Sequence, residues 1–147
     1  MASELQRRLR ERRERQELDR MLRAASEIVT DRTLTSEGVP DRVLETVRGF
    51  WQMSTDPIAT LSDEVPPERL GSWVEELLAR HGFHTAAFLF TDLDLAPWVE
   101  FRMPPAWFTS IRQATDAPWV FLAHDLGTVA AVSEQEYRFE FFVAHVA

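Results

Sequence analysis

Residues 119–146 read WVFLAHDLGTVAAVSEQEYRFEFFVAHV, and this stretch decides the fold class. Its first two apolar runs, at 119–123 and 128–132, flank an Asp125-Leu126-Gly127 turn. Glu134-Gln135 then begins a second turn, and a third apolar run follows it. Turns this short join antiparallel neighbours, because parallel strands need a longer crossover. The stretch therefore predicts a meander of three antiparallel strands.

The third strand of this meander, residues 137–146, alternates between apolar and charged side chains over its first half. A period of two is the spacing of a strand that buries one of its faces. Arg138 and Glu140 lie on the face opposite the predicted core. The predicted core face carries Tyr137, Phe139, Phe141 and Val143.

Two further strands are predicted upstream of the meander. Residues 83–90 are apolar on both faces, which predicts a central position in the sheet. Residues 98–103 alternate, so that Trp98, Glu100 and Arg102 share one face and Val99, Phe101 and Met103 share the other. Pro104-Pro105 begins a short inserted helix that ends near Ala114.

Helical spacing dominates the N-terminal half of the chain. Apolar residues three and four apart predict helices over residues 1 to about 31, 41–52 and 66–80, with a loop over residues 54–66. The second helix has an apolar face that includes Trp51, and the third has an apolar stripe that includes Leu70, Trp73 and Leu77. In the loop, Ile58 and Leu61 are expected to pack against the core. We therefore predict an α+β fold in which about three N-terminal helices pack on a mostly antiparallel five-stranded sheet with one inserted helix. The predicted order of elements is ααα-ββ-α-βββ.

Charge divides the chain into two parts. Residues 1–23 contain eight arginines and five acidic residues, a net charge of +3, although the whole chain carries −8. The remaining residues therefore carry −11. Opposite charges four residues apart stabilise a solvated helix, as at Arg7 and Glu11. We predict a charged helical arm over residues 1–17 and a single α+β domain over residues 18–147.

Composition excludes several kinds of chemistry. The chain has no cysteine, which excludes disulfides, thiolate metal sites and thiol catalysis. All 16 basic residues are arginine, so a P-loop lysine and Schiff-base chemistry are excluded as well. No apolar run approaches the about 20 residues that a membrane span needs, and no apolar segment follows the N-terminus as in a secretory signal. We expect a cytoplasmic protein without contact to a membrane.

Histidine and carboxylate side chains supply the candidates for a metal site. His81 and His84 have a His-x-x-His spacing, and Asp92-x-Asp94 follows the strand that His84 begins. A strand of this length is about 20–25 Å long at 3.3 Å per residue, so His84 and Asp92 cannot share one ion. We favour a helix cap for His81 and a turn for the two aspartates, and we expect no cofactor.

A catalytic interpretation depends on His84, His124 and Asp125. These three side chains would line a pocket between the sheet and the helices over residues 41–52 and 66–80, with Trp98 or Trp107 stacked on a ligand. This alternative describes a small-molecule-binding domain or a small enzyme. The serines lack the Gly-x-Ser-x-Gly turn of a serine nucleophile.

The interpretation we favour is a small acidic protein-interaction module, as in immunity proteins, antitoxins, secretion chaperones and inhibitors. An acidic surface accelerates association with a basic partner. Another alternative is a structural subunit that forms a homo-oligomer through the N-terminal helix. Nucleic acid is not the expected partner, because glutamates interleave the arginines. The predicted partner-binding residues are Trp98, Glu100, Arg102, Trp107, Leu5 and Leu9.

Overall fold

The computed structural model describes residues 3–146, which form four α-helices and one seven-stranded antiparallel sheet. The α+β class is confirmed, but the sheet has two strands more than the five predicted. The helices are α1 (Glu4–Ala24), α2 (Asp41–Phe50), α3 (Pro67–Arg80) and α4 (Phe108–Ala114). The strands are β1 (Val29–Leu34), β2 (Ala59–Ser62), β3 (Ala86–Phe90), β4 (Trp98–Arg102), β5 (Trp119–Ala123), β6 (Thr128–Gln135) and β7 (Arg138–His145).

The strand order across the sheet is β1-β4-β3-β5-β6-β7-β2, and every neighbouring pair is antiparallel. The predicted meander is present as β5, β6 and β7. Its first turn closes where the Asp125 carboxylate accepts a hydrogen bond from the Gly127 amide at 2.8 Å. The two strands that the sequence analysis missed lie at the two edges.

The edge strand β1 begins at Val29, inside the predicted first helix, so the expected helical end near residue 31 is wrong. The helix ends at Ala24, and a turn carries the chain into the strand that pairs with β4. Val29 continues the helical apolar spacing, but it pairs with Phe101 in the sheet. Threonine and valine favour strands over helices, because their branched side chains lose rotamer freedom in a helix.

The edge strand β2 lies in the predicted loop over residues 54–66. Its four residues pair with β7 in a register that places Leu61 opposite Phe139. Leu61 packs against the core, as the sequence analysis expected. Ile58 was expected to pack there too, but its side chain is 60% exposed.

Both faces of the sheet are covered. One face packs against α1, α3 and α4 through a cluster that includes Trp73, Phe108 and Phe121. The other face packs against α2 through Val43 and Val47. The molecule therefore has three layers, with the sheet in the middle.

The strand β5 lies at the centre of these layers, and all five of its residues are buried. Phe121 points into the three-helix face, where its ring contacts those of Phe101, Trp107 and Phe108. Val120 and Leu122 point into the α2 face. No helix within residues 3–146 combines the length and the apolar character that crossing a membrane requires.

We expect Phe121→Ala to lower the free energy of unfolding by about 3–5 kcal/mol, because it leaves a cavity in a ring cluster with no exposed side. Denaturant unfolding followed by circular dichroism measures the change. Leu9→Ala is the matched control, since Leu9 lies on the exposed part of α1, and it should change stability by less than about 0.5 kcal/mol. Equal effects of the two substitutions would contradict the assignment of the core.

Candidate functional site

The predicted catalytic residues do not form one hydrogen-bonded set. His84 is exposed before β3, in the connection that follows α3. Asp125 accepts the Gly127 amide hydrogen and so serves the turn between β5 and β6. His124 ends β5 and bonds to Glu100, which the sequence analysis assigned to a different group. The three clefts described in the molecule are lined by none of His84, His124 and Asp125.

The His-x-x-His pair also separates. His81 lies at the C-terminal end of α3, where its Nδ1 atom donates to the Leu77 carbonyl at 2.8 Å and its ring packs 5.7 Å from that of Phe141. This is the helix cap that the sequence analysis favoured. Within residues 3–146, no group of three or more histidine and carboxylate side chains is placed to hold a metal ion.

The expectation that Trp98 and Trp107 are exposed is wrong. Trp98 is 1% exposed and Trp107 is 4% exposed. Trp98 does lie on the strand face that also carries Glu100, as predicted, but that face is covered. Its ring packs 5.0 Å from that of Phe90 in the cluster that includes α2. Trp107 lies in the three-helix layer against Phe101 and Phe121.

Glu100 is the centre of a polar cluster at the β1 end of the α2 face. Thr30 donates its hydroxyl hydrogen to Glu100 Oε1 at 2.7 Å, and His124 Nε2 donates to Oε2 at 2.9 Å. Arg32 Nη1 lies 3.7 Å from the same Oε2 atom. The Glu100 side chain is only 12% exposed, so the predicted partner-binding carboxylate is largely occupied within the protein.

The Phe88 ring is the apolar floor of this cluster. The His124 ring stacks on it at 5.7 Å with an angle of 14° between the planes. The Arg32 guanidinium carbon lies 5.5 Å from the ring centre, within cation–π distance. Arg32 Nη1 also lies 3.2 Å from His124 Nε2. Since the carboxylate can only accept, we assign the Nε2 hydrogen to Glu100.

The pKa of Glu100 is lowered from its ordinary value of 4.5 by competing effects. Burial is the largest effect and raises the pKa, because it disfavours the charged form. The hydrogen bonds from Thr30 and His124, together with the charges of His124 and Arg32, outweigh burial. The cluster therefore holds Glu100 as a carboxylate.

The other predicted partner-binding residues are exposed. Arg102 lies at the end of β4 and donates to the Glu27 carbonyl at 3.3 Å. Leu5 and Leu9 lie on the first half of α1, where every residue from Ser3 to Arg13 is exposed. The helix contacts the rest of the molecule from Glu14 onward, where Glu14 accepts the Leu95 amide hydrogen.

A surface that the sequence analysis missed lies after α2. Three large apolar side chains, Trp51, Met53 and Ile58, are exposed within eight residues, which we call the 51–58 loop. Trp51 was assigned to the buried face of its helix, but the helix ends at Phe50 and the ring is 40% exposed. The sequence signal for this surface was Met53, two residues after Trp51, at the point where the helix ends. Most of this loop borders an open cleft of about 810 Å³.

Comparisons of the chain with protein-family models, with curated proteins and with solved structures find no match.

We expect Glu100→Gln to lower the free energy of unfolding by about 1–3 kcal/mol at neutral pH, because an amide cannot accept at both of its ends. The unfolded state binds the proton first as the pH falls, since the folded pKa is the lower one. The difference from wild type is therefore complete above the ordinary pKa of 4.5 and is lost as the pH falls through the folded pKa.

Denaturant unfolding at a series of pH values measures this difference. Glu45→Gln, on the exposed side of α2, is the control and should match wild type at each pH. A Glu100→Gln difference that stays constant down to strongly acidic pH would contradict the lowered pKa.

Proposed function

We propose that this protein is a small acidic interaction module that acts by binding a partner protein. The observation that carries the proposal is the 51–58 loop, where Trp51, Met53 and Ile58 present apolar side chains to solvent. A cluster of exposed apolar groups costs solubility unless it is covered, and such clusters mark interaction surfaces. Tryptophan and methionine are also enriched where proteins meet.

The charge of the molecule supports a basic partner. Residues 24–147 carry −11 of formal charge, which gives the domain a net negative field. Such a field accelerates encounter with a positively charged protein and disfavours nucleic acid. Immunity proteins and inhibitors that bind basic enzymes work by this kind of complementarity.

The structure gives less support to a small-molecule-binding or enzymatic role. The hydrogen bonds of Asp125 and His124 are directed to the turn and to Glu100. Glu100 in turn accepts at both of its oxygen atoms, so little of its capacity is left for a substrate. A cluster satisfied in this way has the properties of a structural ion network.

The exposed half of α1 supports self-association as a second candidate function. Leu5 and Leu9 are four residues apart and therefore lie on one side of the helix, both exposed. The capping box at Ser3 and Gln6 and the Glu4 ion pairs hold this half helical without a core. A second copy of the chain could cover the two leucines.

We expect the immobilised protein to retain one partner from a lysate of the organism that encodes it, more strongly at low salt than at high salt. The triple variant Trp51→Ser, Met53→Ser, Ile58→Ser should retain about tenfold less, because hot-spot side chains supply most of the binding energy. Quantitative mass spectrometry of the retained proteins measures the ratio.

Leu95→Ser is the matched control for this capture, because Leu95 is exposed but lies outside the 51–58 loop. It should retain the same partner in the same amount as wild type. If no protein is retained at either salt concentration, the proposed function is wrong. Equal retention by the triple variant would remove the 51–58 loop as the binding surface.

We expect a version that lacks residues 1–13 to stay folded and to scatter light as a monomer, while the full chain scatters as a dimer at high concentration. The deletion ends before Glu14, the first residue with a bond to the domain, so it should not disturb the core. Multi-angle light scattering gives both masses, and Leu5→Ser with Leu9→Ser should reproduce the deletion. The same oligomeric state for the full chain and the deletion would exclude association through the arm.

A further inference from the structure

The cleft beside the 51–58 loop has the features of a binding site for one particular side chain. We call it the Trp51 cleft. Its floor is the α2 face of β6 and β7, one wall is the loop from Trp51 to Pro57, and the other wall is Ala117-Pro118. Its volume of about 810 Å³ is within the usual range for a ligand pocket.

Glu140 lies on the floor of this cleft with one carboxylate oxygen unused. Its side chain is only 11% exposed. Oε2 accepts a hydrogen bond from Arg138 Nη2 at 2.7 Å, and no donor within residues 3–146 reaches Oε1. Within the described residues no side-chain oxygen is both buried and unpartnered, so Oε1 reaches solvent in the cleft, where it can accept a hydrogen bond from a ligand. The floor of the cleft therefore favours a ligand that donates hydrogen bonds.

The charges that line the Trp51 cleft favour a cation. Asp56 on the loop and Glu140 on the floor are acidic, and Arg138 is the one basic residue in the lining. The Arg138 side chain is 56% exposed, so it can turn toward solvent at the cost of its one hydrogen bond to Glu140. An incoming cation can then share Glu140 with it or replace it.

Trp51 adds a second kind of recognition. Its ring meets the rings of Phe50 and Phe142 edge-on, at 6.3 and 5.9 Å. These contacts fix the orientation of the indole, and 40% of the residue remains exposed at the cleft wall. Tryptophan is the aromatic side chain that binds cations best through its ring face.

We propose that the Trp51 cleft binds an arginine side chain on an exposed segment of the partner protein. A guanidinium donates two parallel hydrogen bonds to a carboxylate and stacks on an aromatic ring, which matches Glu140 and Trp51 together. The exposed Met53 and Ile58 then contact the apolar neighbours of that arginine. This inference rests on the proposed function and adds the chemistry of the partner's contacting residue.

Short peptides test the inference without knowledge of the partner. The probes are acetylated, amidated pentapeptides of the form Gly-Ser-X-Ser-Gly, where X is arginine, lysine or citrulline. Citrulline has nearly the shape of arginine without its charge. Titrations followed by nitrogen–proton correlation NMR report the Trp51 indole and the amides of residues 133–142.

We expect the arginine peptide to shift these signals in a saturable, salt-sensitive manner, with lysine about tenfold weaker and citrulline without effect. Glu140→Gln should weaken arginine binding by about tenfold. Because Glu140 is buried, the exposed variant Asp56→Asn gives an independent measure, and it should weaken binding without loss of folding. Glu68→Gln, in the separate cleft between α3 and α4, is the control and should bind as wild type.

Equal shifts with citrulline, or shifts confined to residues outside the Trp51 cleft, would overturn the inference. Preference for lysine would overturn the choice of arginine. If the arginine peptide fails while the 51–58 loop still captures a protein, only the chemistry of the cleft is wrong. If the peptide binds but no protein is captured, arginine binding in the Trp51 cleft is supported and the proposed function is wrong.

Discussion

Burial of the sheet on both of its faces is the constraint on which the rest of the structure depends. All five residues of β5 are buried, with Phe121 on one side and Val120 and Leu122 on the other. A strand of this kind needs apolar cover from two directions, so no two-layer arrangement can satisfy it. The three-helix layer supplies one cover and α2, with the segment that precedes it, supplies the other.

The second cover is too small for the face it occupies. Seven strands span about 29 Å at 4.8 Å per step, whereas the ten residues of α2 form a helix about 15 Å long and about 10 Å wide, which is shorter in either direction. Both ends of this face are therefore left to other groups. At the β1 end, Glu100 is satisfied by Thr30, His124 and Arg32. At the β7 end, Glu140 keeps an open oxygen atom beside a cleft. Because α2 covers neither end of this face, a polar side chain lies at each end. Glu100 has all of its hydrogen bonds within the protein, whereas Glu140 has one oxygen atom available to a ligand.

Local sequence patterns predicted the elements whose structure is determined by residues close together in the chain. The stripe of Leu70, Trp73 and Leu77 gave α3, and the turn at Asp125 gave the first hairpin of the meander, because each pattern is complete within a few residues. The strands β1 and β2 are set by pairing with β4 and β7, which lie far along the chain. The partner of Glu100 was unpredictable for the same reason, since His124 reaches it only after β3 and β5 have paired. Trp98 was assigned to the correct strand face, but its burial depends on a cover that no local pattern describes.

The edges of the sheet restrict how another protein can bind. An unpaired edge strand invites strand addition unless charge, irregular register or short length prevents it. The strand β1 carries Asp31 and Arg32 and has an irregularity between Val29 and Thr33. At the other edge, β2 has only four residues. Both edges therefore disfavour recognition through main-chain pairing. The proposed partner is therefore recognised through side chains, and among the described residues the exposed half of α1 and the 51–58 loop each present more than one large apolar side chain. Of the two, only the loop lies beside a cleft whose floor carries a carboxylate oxygen without a donor in the described residues. For this reason we place the proposed partner site at the loop and the proposed self-association at the arm.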